Sequence, residues 1–200
     1  MPWFLEGFAK EHELAARCSG VAIYQMWVLS RLAEHCKSVE GDFIECGVAA
    51  GGTAMMISGH MGSKKLHLFD TFKGLPSVDP KEDLHAEGEM AVSLEECQGN
   101  VSGNVEWHPG LIPETFRGFA RRFAFAHIDV DLYRSVLDCC EFIYPRMNPG
   151  GVMVFDDYAD PTCPGARKAV DGFFSDKPEV PLQMFGTSCV VHRLGSRPLS

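Results

Sequence analysis

Apolar residues recur along the chain in two periods, one typical of helices and one typical of short buried strands. From residue 12 to residue 36 the apolar positions are three or four residues apart, which predicts helix with one apolar face. These positions are Val21, Tyr24, Val28, Leu32 and Cys36. Gly20 is expected to divide the segment into two helices.

Further along, short apolar runs alternate with helical patterns. Buried strands are predicted at residues 43–48, 66–70, 105–108, 123–130 and 151–155, and a closing hairpin at Met184-Phe185 and 188–192. Helices are predicted to begin at Thr53 and at Ser93, which opens a capping-box pattern, and to cover 135–144 and 166–174. This alternation predicts a doubly wound, Rossmann-like α/β fold. Its sheet has seven strands, mostly parallel, with an antiparallel closing strand.

The length of 200 residues fits one domain, which we predict over residues 1–200. Residues 1–40 are expected to form an N-terminal helical cap. The polar, proline-containing stretch from residue 77 is expected to be a mobile loop, so that residues 77–104 provide a lid loop and a helix.

Composition narrows the function classes. The net charge of −9 disfavours binding to nucleic acid or to an anionic membrane through the overall field, so no such partner is expected. Eight cysteines without a Cys-x-x-Cys pair indicate reduced thiols in a cytoplasmic protein. The first six residues lack a secretory pattern, and no apolar run reaches the length of a membrane span. A homo-oligomeric state is compatible with this composition.

The turn after the first strand is rich in glycine. Residues 45–52 read Glu-Cys-Gly-Val-Ala-Ala-Gly-Gly, with glycines at Gly47, Gly51 and Gly52. Glycine lets a backbone approach a ligand that a Cβ would exclude. The spacing matches neither the dinucleotide fingerprint nor a phosphate loop, so it suits a nucleoside ligand without a pyrophosphate. The alternative is a tight turn that only packs helix on strand.

Asp70 ends the second strand, about twenty residues after the glycine turn. A carboxylate at this position can accept hydrogen bonds from both hydroxyls of a ribose, as in nucleotide-binding α/β folds. The alternative is a turn cap, since Asp70 also precedes a loop.

Four aspartates follow the fourth and fifth strands: Asp129 and Asp131, then Asp156 and Asp157. Alternation puts Asp129 and Asp131 on one side wherever the extended geometry persists, and the two strands are expected to be neighbours. Four converging carboxylates repel one another unless some protonate or a cation neutralises them. Oxygen ligands suit Mg²⁺, with Mn²⁺ or Ca²⁺ as alternatives. Single members could instead cap helices. His108 and His127 are expected to be packed or at the surface rather than catalytic.

With these motifs in place, the chain resembles the macrocin O-methyltransferase (TylF-type) family of class I S-adenosylmethionine-dependent methyltransferases. The likeness covers residues 21–193. It rests on five motifs, at 41–48 with Gly51-Gly52, 69–76, 129–135, 150–158 and 167–171. Ala49 and Ala50 depart from the bulky and basic residues that the family often carries there. The region before the first strand is also shorter than in many relatives.

The resemblance implies an O-methyltransferase that uses S-adenosylmethionine and a divalent metal, usually Mg²⁺, to methylate a small-molecule hydroxyl, with a saccharide acceptor leading. It implies a cofactor site and a metal site at the carboxyl edge of the sheet. Carried onto this chain, the cofactor residues are Glu45, Gly47, Gly51, Gly52, Thr53 and Asp70. The metal ligands are Asp129, Asp156 and Asp157, and Asp131 is the candidate base.

Two other functions remain on the same fold. A nicotinamide-dependent oxidoreductase would use the same edge of the sheet, but the glycine spacing disfavours it. A catalytically inactive cofactor-binding relative is the second alternative, and the intact set of aspartates disfavours that one.

Overall fold

The structure is a computed structural model that describes residues 6–184 and 186–195. Within these ranges the sheet has seven strands. They are β1 (Asp42–Cys46), β2 (Leu66–Asp70), β3 (Val105–Pro109), β4 (Phe123–Ile128), β5 (Met147–Phe155), β6 (Leu182–Gln183) and β7 (Cys189–His192). The spatial order is β3-β2-β1-β4-β5-β7-β6. Strands β1 to β5 are parallel, and β7 runs antiparallel to both β5 and β6. The predicted doubly wound sheet with an antiparallel closing strand is therefore confirmed.

In the described part of the chain, six α-helices surround the sheet. They are α1 (Glu6–Ala15), α2 (Ile23–Cys36), α3 (Gly52–His60), α4 (Leu94–Asn100), α5 (Tyr133–Ile143) and α6 (Pro164–Phe174). One face of the sheet packs on α2 and α3 and includes Phe43 and Phe125, whose rings lie 5.1 Å apart. The other face packs on α5 and α6 and includes Phe69 and Phe123. With both faces covered, the central strand β4 is buried along its whole length.

Several predicted boundaries are wrong by a few residues; strand β5, for example, begins at Met147 rather than at residue 151. The N-terminal helices are separated by residues 16–22 rather than by a break at Gly20 alone. Strand β1 ends at Cys46, because Gly47 turns the chain with φ +82°. Strand β4 ends at Ile128 rather than at residue 130, and Asp131 then adopts φ +57°. Apolar character continues past both strand ends, so a hydropathy pattern extends them too far.

The closing hairpin is present, but its first strand lies earlier than predicted. Strand β6 occupies Leu182–Gln183, and the Met184 amide donates to the Ser188 carbonyl at 2.9 Å, which continues the pairing by one residue beyond the strand. Phe185, which was predicted in this strand, lies outside the described residues, as do residues 1–5 of the N-terminal prediction. Within the described ranges no helix is both long and apolar enough to cross a bilayer.

The polar stretch before α4 contains no helix or strand, as expected. Ser93 caps α4 by accepting from the Glu96 amide at 3.2 Å, which confirms the predicted helix start. Contacts to α5 and α6 tether the loop. Asp83 Oδ1 accepts from the Tyr133 amide at 2.7 Å, and Lys168 Nζ lies 2.6 Å from Glu82 Oε1. These contacts hold the loop beside the first turns of α5 and α6.

Candidate active site

Two neighbouring cavities lie at the carboxyl ends of the parallel strands. The smaller, of about 110 Å³, is bounded by the ends of β1 to β4 and includes Asp70 in its lining. The larger, of about 410 Å³, reaches the linker between α1 and α2 and includes Thr53. Ala49, Met90 and Asp129 line both. The two cavities therefore form one cleft where the topology of a doubly wound fold places ligands.

Asp70 organises the floor of the smaller cavity. Its Oδ2 accepts from the backbone amides of Val48 at 2.7 Å and Ala49 at 3.0 Å, and its Oδ1 accepts from the Phe72 amide at 2.7 Å. Ala49 and Phe72 have positive φ angles of 44° and 53°. Such conformations cost energy in non-glycine residues and persist only where the surroundings enforce them. The carboxylate therefore fixes the turn after β1 and also faces the cavity.

The glycines of this turn approach protein rather than open space. A Cβ on Gly47 would lie 1.6 Å from the Asp129 carbonyl oxygen, and one on Gly52 would lie 2.4 Å from Ser19 Cβ. At Gly51, where φ is +90°, a Cβ would lie 2.6 Å from Val101 Cγ2. The requirement for glycine thus comes from packing against β4, the α1–α2 linker and α4. Gly47 still lines the smaller cavity, Gly52 and Thr53 line the larger one, and Gly51 lines neither.

Three of the four aspartates converge. Carboxylate oxygens of Asp129, Asp156 and Asp157 lie within 4.8 Å of one another at the ends of β4 and β5. Asp156 also accepts from the Ser188 hydroxyl at 3.0 Å, and Asp157 accepts from the Asp131 amide at 3.0 Å. These contacts orient two of the carboxylates and leave other oxygens of the trio facing one another.

The electrostatics of this trio favour a positive charge between its members. Burial, followed by the charges of Asp157 and Asp156, raises the pKa of Asp129 well above the usual value. Burial, followed by the charges of Asp131 and Asp156, raises the pKa of Asp157 in the same direction. A group with a raised pKa is strained in its ionised form, and a bound cation would remove that strain.

Asp131 does not join the trio, which corrects the expectation that four carboxylates converge. Alternation does not apply, because β4 ends before Asp129 and the chain turns at Asp131. Its Oδ1 instead accepts from the Cys163 thiol at 3.5 Å and lies 3.9 Å from His85 Nε2. Burial raises the pKa of Asp131, against the lowering effects of Cys163 and His85. Asp131 lines the smaller cavity beside Asp129.

Glu45 lies beneath the cleft rather than in its wall. It is fully buried, lines neither cavity, and places Oε1 2.8 Å from His127 Nδ1. His127 Nε2 in turn lies 4.0 Å from Asp156 Oδ1, beyond hydrogen-bond reach. The carried-over role of Glu45 in holding the cofactor stays a prediction, and any such contact would need an opening that this conformation does not show.

Several residues of the cleft carried no signal in the sequence. Gln25 and Thr187 line the larger cavity, and the Gln25 amide donates to the Thr187 hydroxyl at 2.9 Å. His85 and Cys163, which line neither cavity, flank Asp131. Each is a single polar residue in a helix or loop with no spacing rule, so only the fold brings it to the cleft. His85 could have been suspected from its place in the predicted lid.

Comparison with known proteins agrees with this architecture. The model of the family described as "Macrocin-O-methyltransferase (TylF)" matches residues 26–194 of this chain. The chain belongs to the macrocin O-methyltransferase family. The O-methyltransferase NovP superposes with a TM-score of 0.81 at 25% identity, covering 89% of this chain and 83% of NovP. A calicheamicin methyltransferase, CalS11, has a TM-score of 0.72 at 18% identity over 94% of this chain and 93% of its own, a likeness of fold.

Two curated relatives are similar in sequence to this macrocin O-methyltransferase family member. One is an 8-demethyl-8-(2,3-dimethoxy-alpha-L-rhamnosyl)-tetracenomycin-C 4'-O-methyltransferase from Streptomyces olivaceus. It is 32% identical, and the match covers 62% of this chain and 56% of the relative. A demethyldecarbamoylnovobiocin O-methyltransferase from Streptomyces niveus is 30% identical, covering 68% of this chain and 59% of the relative. The chain thus spans under two thirds of the length of these relatives.

Proposed function

We propose that this protein is an S-adenosylmethionine-dependent O-methyltransferase, assisted by a divalent cation, that acts on a hydroxyl of a sugar-containing small molecule. The observation that carries the proposal is the convergence of Asp129, Asp156 and Asp157 within 4.8 Å, in a cleft that Asp70 also lines. Family membership supports the transfer chemistry. The relatives favour methyl transfer over a nicotinamide-dependent reaction.

The cofactor site in this proposal is the smaller cavity. Asp70 would accept hydrogen bonds from ribose hydroxyls through lone pairs not used by the backbone amides, and Gly47 would provide a wall without a side chain. Thr53 at the start of α3 would meet the amino-acid end of the ligand in the larger cavity. Two proteins of the same fold, at 17% and 15% identity, are complexes with S-adenosylhomocysteine and S-adenosylmethionine.

The metal ligands in this proposal are Asp129, Asp156 and Asp157. The donor set fits a hard cation, because all three side chains offer carboxylate oxygens and two of them have raised pKa values. When bound, S-adenosylmethionine would supply an electrophilic methyl group, and Mg²⁺ would orient and polarise the acceptor hydroxyl. The trio would thus hold the acceptor oxygen next to the cofactor cavity, which Asp129 also lines.

Asp131 is the candidate base. As the new C–O bond forms and the C–S bond breaks, the acceptor hydroxyl must lose its proton, and a carboxylate beside the trio can accept it. Asp131 lines the cavity and is buried, and its raised pKa favours uptake of a proton. His85 and Cys163 lie against its Oδ1 and would orient that oxygen.

The acceptor would enter through the larger cavity. The linker from Ser19 to Val21 and Gln25 of α2 form one wall, and Asp160 and Thr187 offer further polar groups. In this proposal the described residues up to residue 40 form a helical cap and residues 77–104 a lid, within the same domain as the sheet. The eight free cysteines fit a cytoplasmic location.

A methyl-transfer screen tests the proposal. The protein is incubated with methyl-labelled S-adenosylmethionine and a panel of glycosylated and free-sugar acceptors, with Mg²⁺ or with EDTA. We expect transfer to a sugar hydroxyl that requires Mg²⁺. S-adenosylhomocysteine should also raise the melting temperature, because a ligand of the folded state stabilises it. Stabilisation by a nicotinamide nucleotide, and none by S-adenosylhomocysteine, would contradict the proposal.

A further inference from the structure

Two histidines and a glutamate meet on the sheet face formed by β2 and β3, at the edge of the sheet. His67 of β2 lies opposite Glu106 of β3 in register, and His108 follows on the same face. His67 Nδ1 lies 3.1 Å from His108 Nε2 and 3.9 Å from Glu106 Oε2. His108 Nε2 lies 3.7 Å from Glu106 Oε1. The potential ligand atoms of the three side chains are thus all within 4.8 Å of one another.

We propose that His67, Glu106 and His108 form a second metal site, which takes a divalent transition metal with Zn²⁺ as the best fit. In tetrahedral coordination with metal–ligand bonds of about 2.0–2.1 Å, neighbouring ligand atoms are roughly 3.3–3.4 Å apart. Two of the observed separations, 3.1 Å from His67 Nδ1 to His108 Nε2 and 3.7 Å from His108 Nε2 to Glu106 Oε1, bracket that value, while the 3.9 Å from His67 Nδ1 is to the other carboxylate oxygen, Oε2. Small side-chain movements would therefore complete three corners of a tetrahedron.

The imidazole of His67 is oriented for this role by Asp42, the first residue of β1. Its Nε2 lies 3.3 Å from Asp42 Oδ2, so the proton is directed to that nitrogen and the Nδ1 lone pair faces the cluster. A carboxylate behind the second nitrogen of an imidazole is the arrangement that commonly supports a metal-binding histidine. His67 is fully buried, which fixes this orientation.

Aromatic packing holds both rings in place. Phe69 stacks on His108 with ring centroids 4.3 Å apart, and Phe119 meets the edge of His67 at 4.8 Å. The rings would lose little further freedom on binding an ion, and such pre-organisation favours affinity. Glu106 is 44% exposed at its side chain, so an ion can enter from solvent and water can occupy the fourth position.

The negative charge of Glu106 is already paired before any metal binds. Lys65 Nζ lies 2.8 Å from Glu106 Oε2, so the carboxylate already has a cationic partner. Glu106 Oε1 has no such partner among these contacts and lies nearer to His108. A metal would use this oxygen while the lysine keeps the other, so the existing ion pair and the site are compatible.

The cluster is separate from the aspartate trio in place and in chemistry. The cluster lies on β2 and β3, which are two and three steps from β4 in the sheet, or about 10 and 14 Å at the usual strand spacing. Imidazole nitrogen suits Zn²⁺ and its neighbours, whereas a set of carboxylates alone suits Mg²⁺. A bound ion would link β3, the edge strand of the sheet, to β2 and stabilise that edge.

Metal titration of untagged, chelator-treated protein tests the site. Zn²⁺ binding is measured by calorimetry in excess Mg²⁺, and Co²⁺ is used as a probe because tetrahedral coordination gives strong visible absorption bands. We expect one equivalent of each ion and a higher melting temperature with Zn²⁺. Glu106→Gln and His108→Gln should abolish the Co²⁺ bands. Asp42→Asn should weaken Zn²⁺ binding by about 10- to 100-fold, as expected for a residue that orients a ligand.

The control is His35→Gln. His35 and His192 are exposed, and their rings lie 6.4 Å apart, so they are a surface histidine pair away from the cluster. This variant should bind Zn²⁺ as the parent does. Circular dichroism of the metal-free proteins checks that each variant folds. Absence of stoichiometric binding, unchanged affinity in Glu106→Gln and His108→Gln, or loss of binding in His35→Gln would overturn the proposal.

Discussion

Glu45 and His127 form a fully buried pair between neighbouring strands β1 and β4, with Glu45 Oε1 2.8 Å from His127 Nδ1. Burial opposes protonation of His127, but the carboxylates of Asp156 and Glu45 outweigh it and hold the pKa of His127 well above its usual range. The imidazolium therefore sits between a buried carboxylate below and the aspartate trio above. It supports the floor of the cleft electrostatically, and this gives Glu45 a structural role.

Removal of one member of this pair is expected to destabilise the fold. His127→Gln should lower the free energy of unfolding by about 3–5 kcal/mol, the usual cost of leaving a buried charge without its partner. Urea denaturation in EDTA measures this. The double variant with Glu45→Gln should lose less than the sum of the two single variants. Additive losses would show that the two side chains do not interact.

The same pair predicts a pH dependence. Because the pKa of His127 is raised in the folded state, the stability that its proton contributes is fully present below the unfolded value near 6.5. It is lost as pH rises through the raised folded value. The difference in unfolding free energy between the parent and His127→Gln should therefore shrink from pH 6 to alkaline pH. A difference that grows with pH would contradict this assignment.

Asp70→Asn is expected to weaken cofactor binding. An amide nitrogen cannot accept from the amides of Val48, Ala49 or Phe72, so at least one contact that shapes the turn is lost. Hydrogen bonds to a charged group are worth about 1.5–3 kcal/mol, so S-adenosylhomocysteine should bind at least about tenfold more weakly by calorimetry. Asp79→Asn is the matched control, since Asp79 is exposed and its carboxylate accepts from the nearby Lys81 amide, away from the cavity. Equal affinity in both variants would leave Asp70 without a binding role.

The order of elements and the position of the cleft could be predicted from the sequence, because they depend on patterns that many residues share. The alternation of apolar runs and amphipathic segments determines a parallel sheet, and its topology brings the carboxyl ends of β4 and β5 together. Asp129, Asp156 and Asp157 therefore converge as expected.

The features of the site that the sequence did not predict depend on local details of the structure. Whether Asp131 shares a side with Asp129 depends on a single backbone angle, the φ of +57° at Asp131, which no periodicity encodes. The reason for glycine at Gly51 depends on Val101 of the segment after α4, about fifty residues away. The pairing of Glu45 with His127 needed the register of two strands, which hydropathy alone does not give.

A substitution at Gly51 tests whether glycine is required there for packing within the protein or for the approach of a ligand. Gly51→Ala places a methyl group 2.6 Å from Val101 Cγ2 and 3.1 Å from Cys97 Sγ, so folding itself should suffer. Gly88→Ala is the control, because Gly88 has a similar φ of +84° but nothing within 4 Å of the added carbon. By thermal unfolding, Gly51→Ala should be about 1–3 kcal/mol less stable than Gly88→Ala. Equal stabilities would indicate that only the φ angle matters.

Asp131→Asn tests the candidate base. Asparagine tolerates the positive φ at this position, so the backbone should be preserved. The side chain can no longer accept a proton, and turnover should fall by about 100-fold or more. Calorimetry should show S-adenosylhomocysteine and Mg²⁺ affinities close to those of the parent. A large loss of Mg²⁺ affinity would instead make Asp131 part of the metal site.

Asp129→Asn should stabilise the protein without metal and destabilise it, relative to the parent, when Mg²⁺ is present. Burial and the neighbouring carboxylates raise the pKa of Asp129, so above the unfolded value near 3.9 its ionisation opposes folding, and stability falls as pH rises. Asparagine removes that charge, and each kcal/mol relieved raises the melting temperature in EDTA by about 2–4 °C.

Added Mg²⁺ should reverse the ranking, because the parent gains the binding free energy of the ion and Asp129→Asn does not. Asp129 is chosen over Asp157, whose carboxylate also accepts from the Asp131 amide, so that the backbone beside the candidate base stays intact. Asp176→Asn, at an exposed position with a side chain 80% accessible, should change neither condition. If Mg²⁺ stabilised the parent and Asp129→Asn equally, the ion would bind elsewhere, and the three aspartates would be left with capping and packing roles alone.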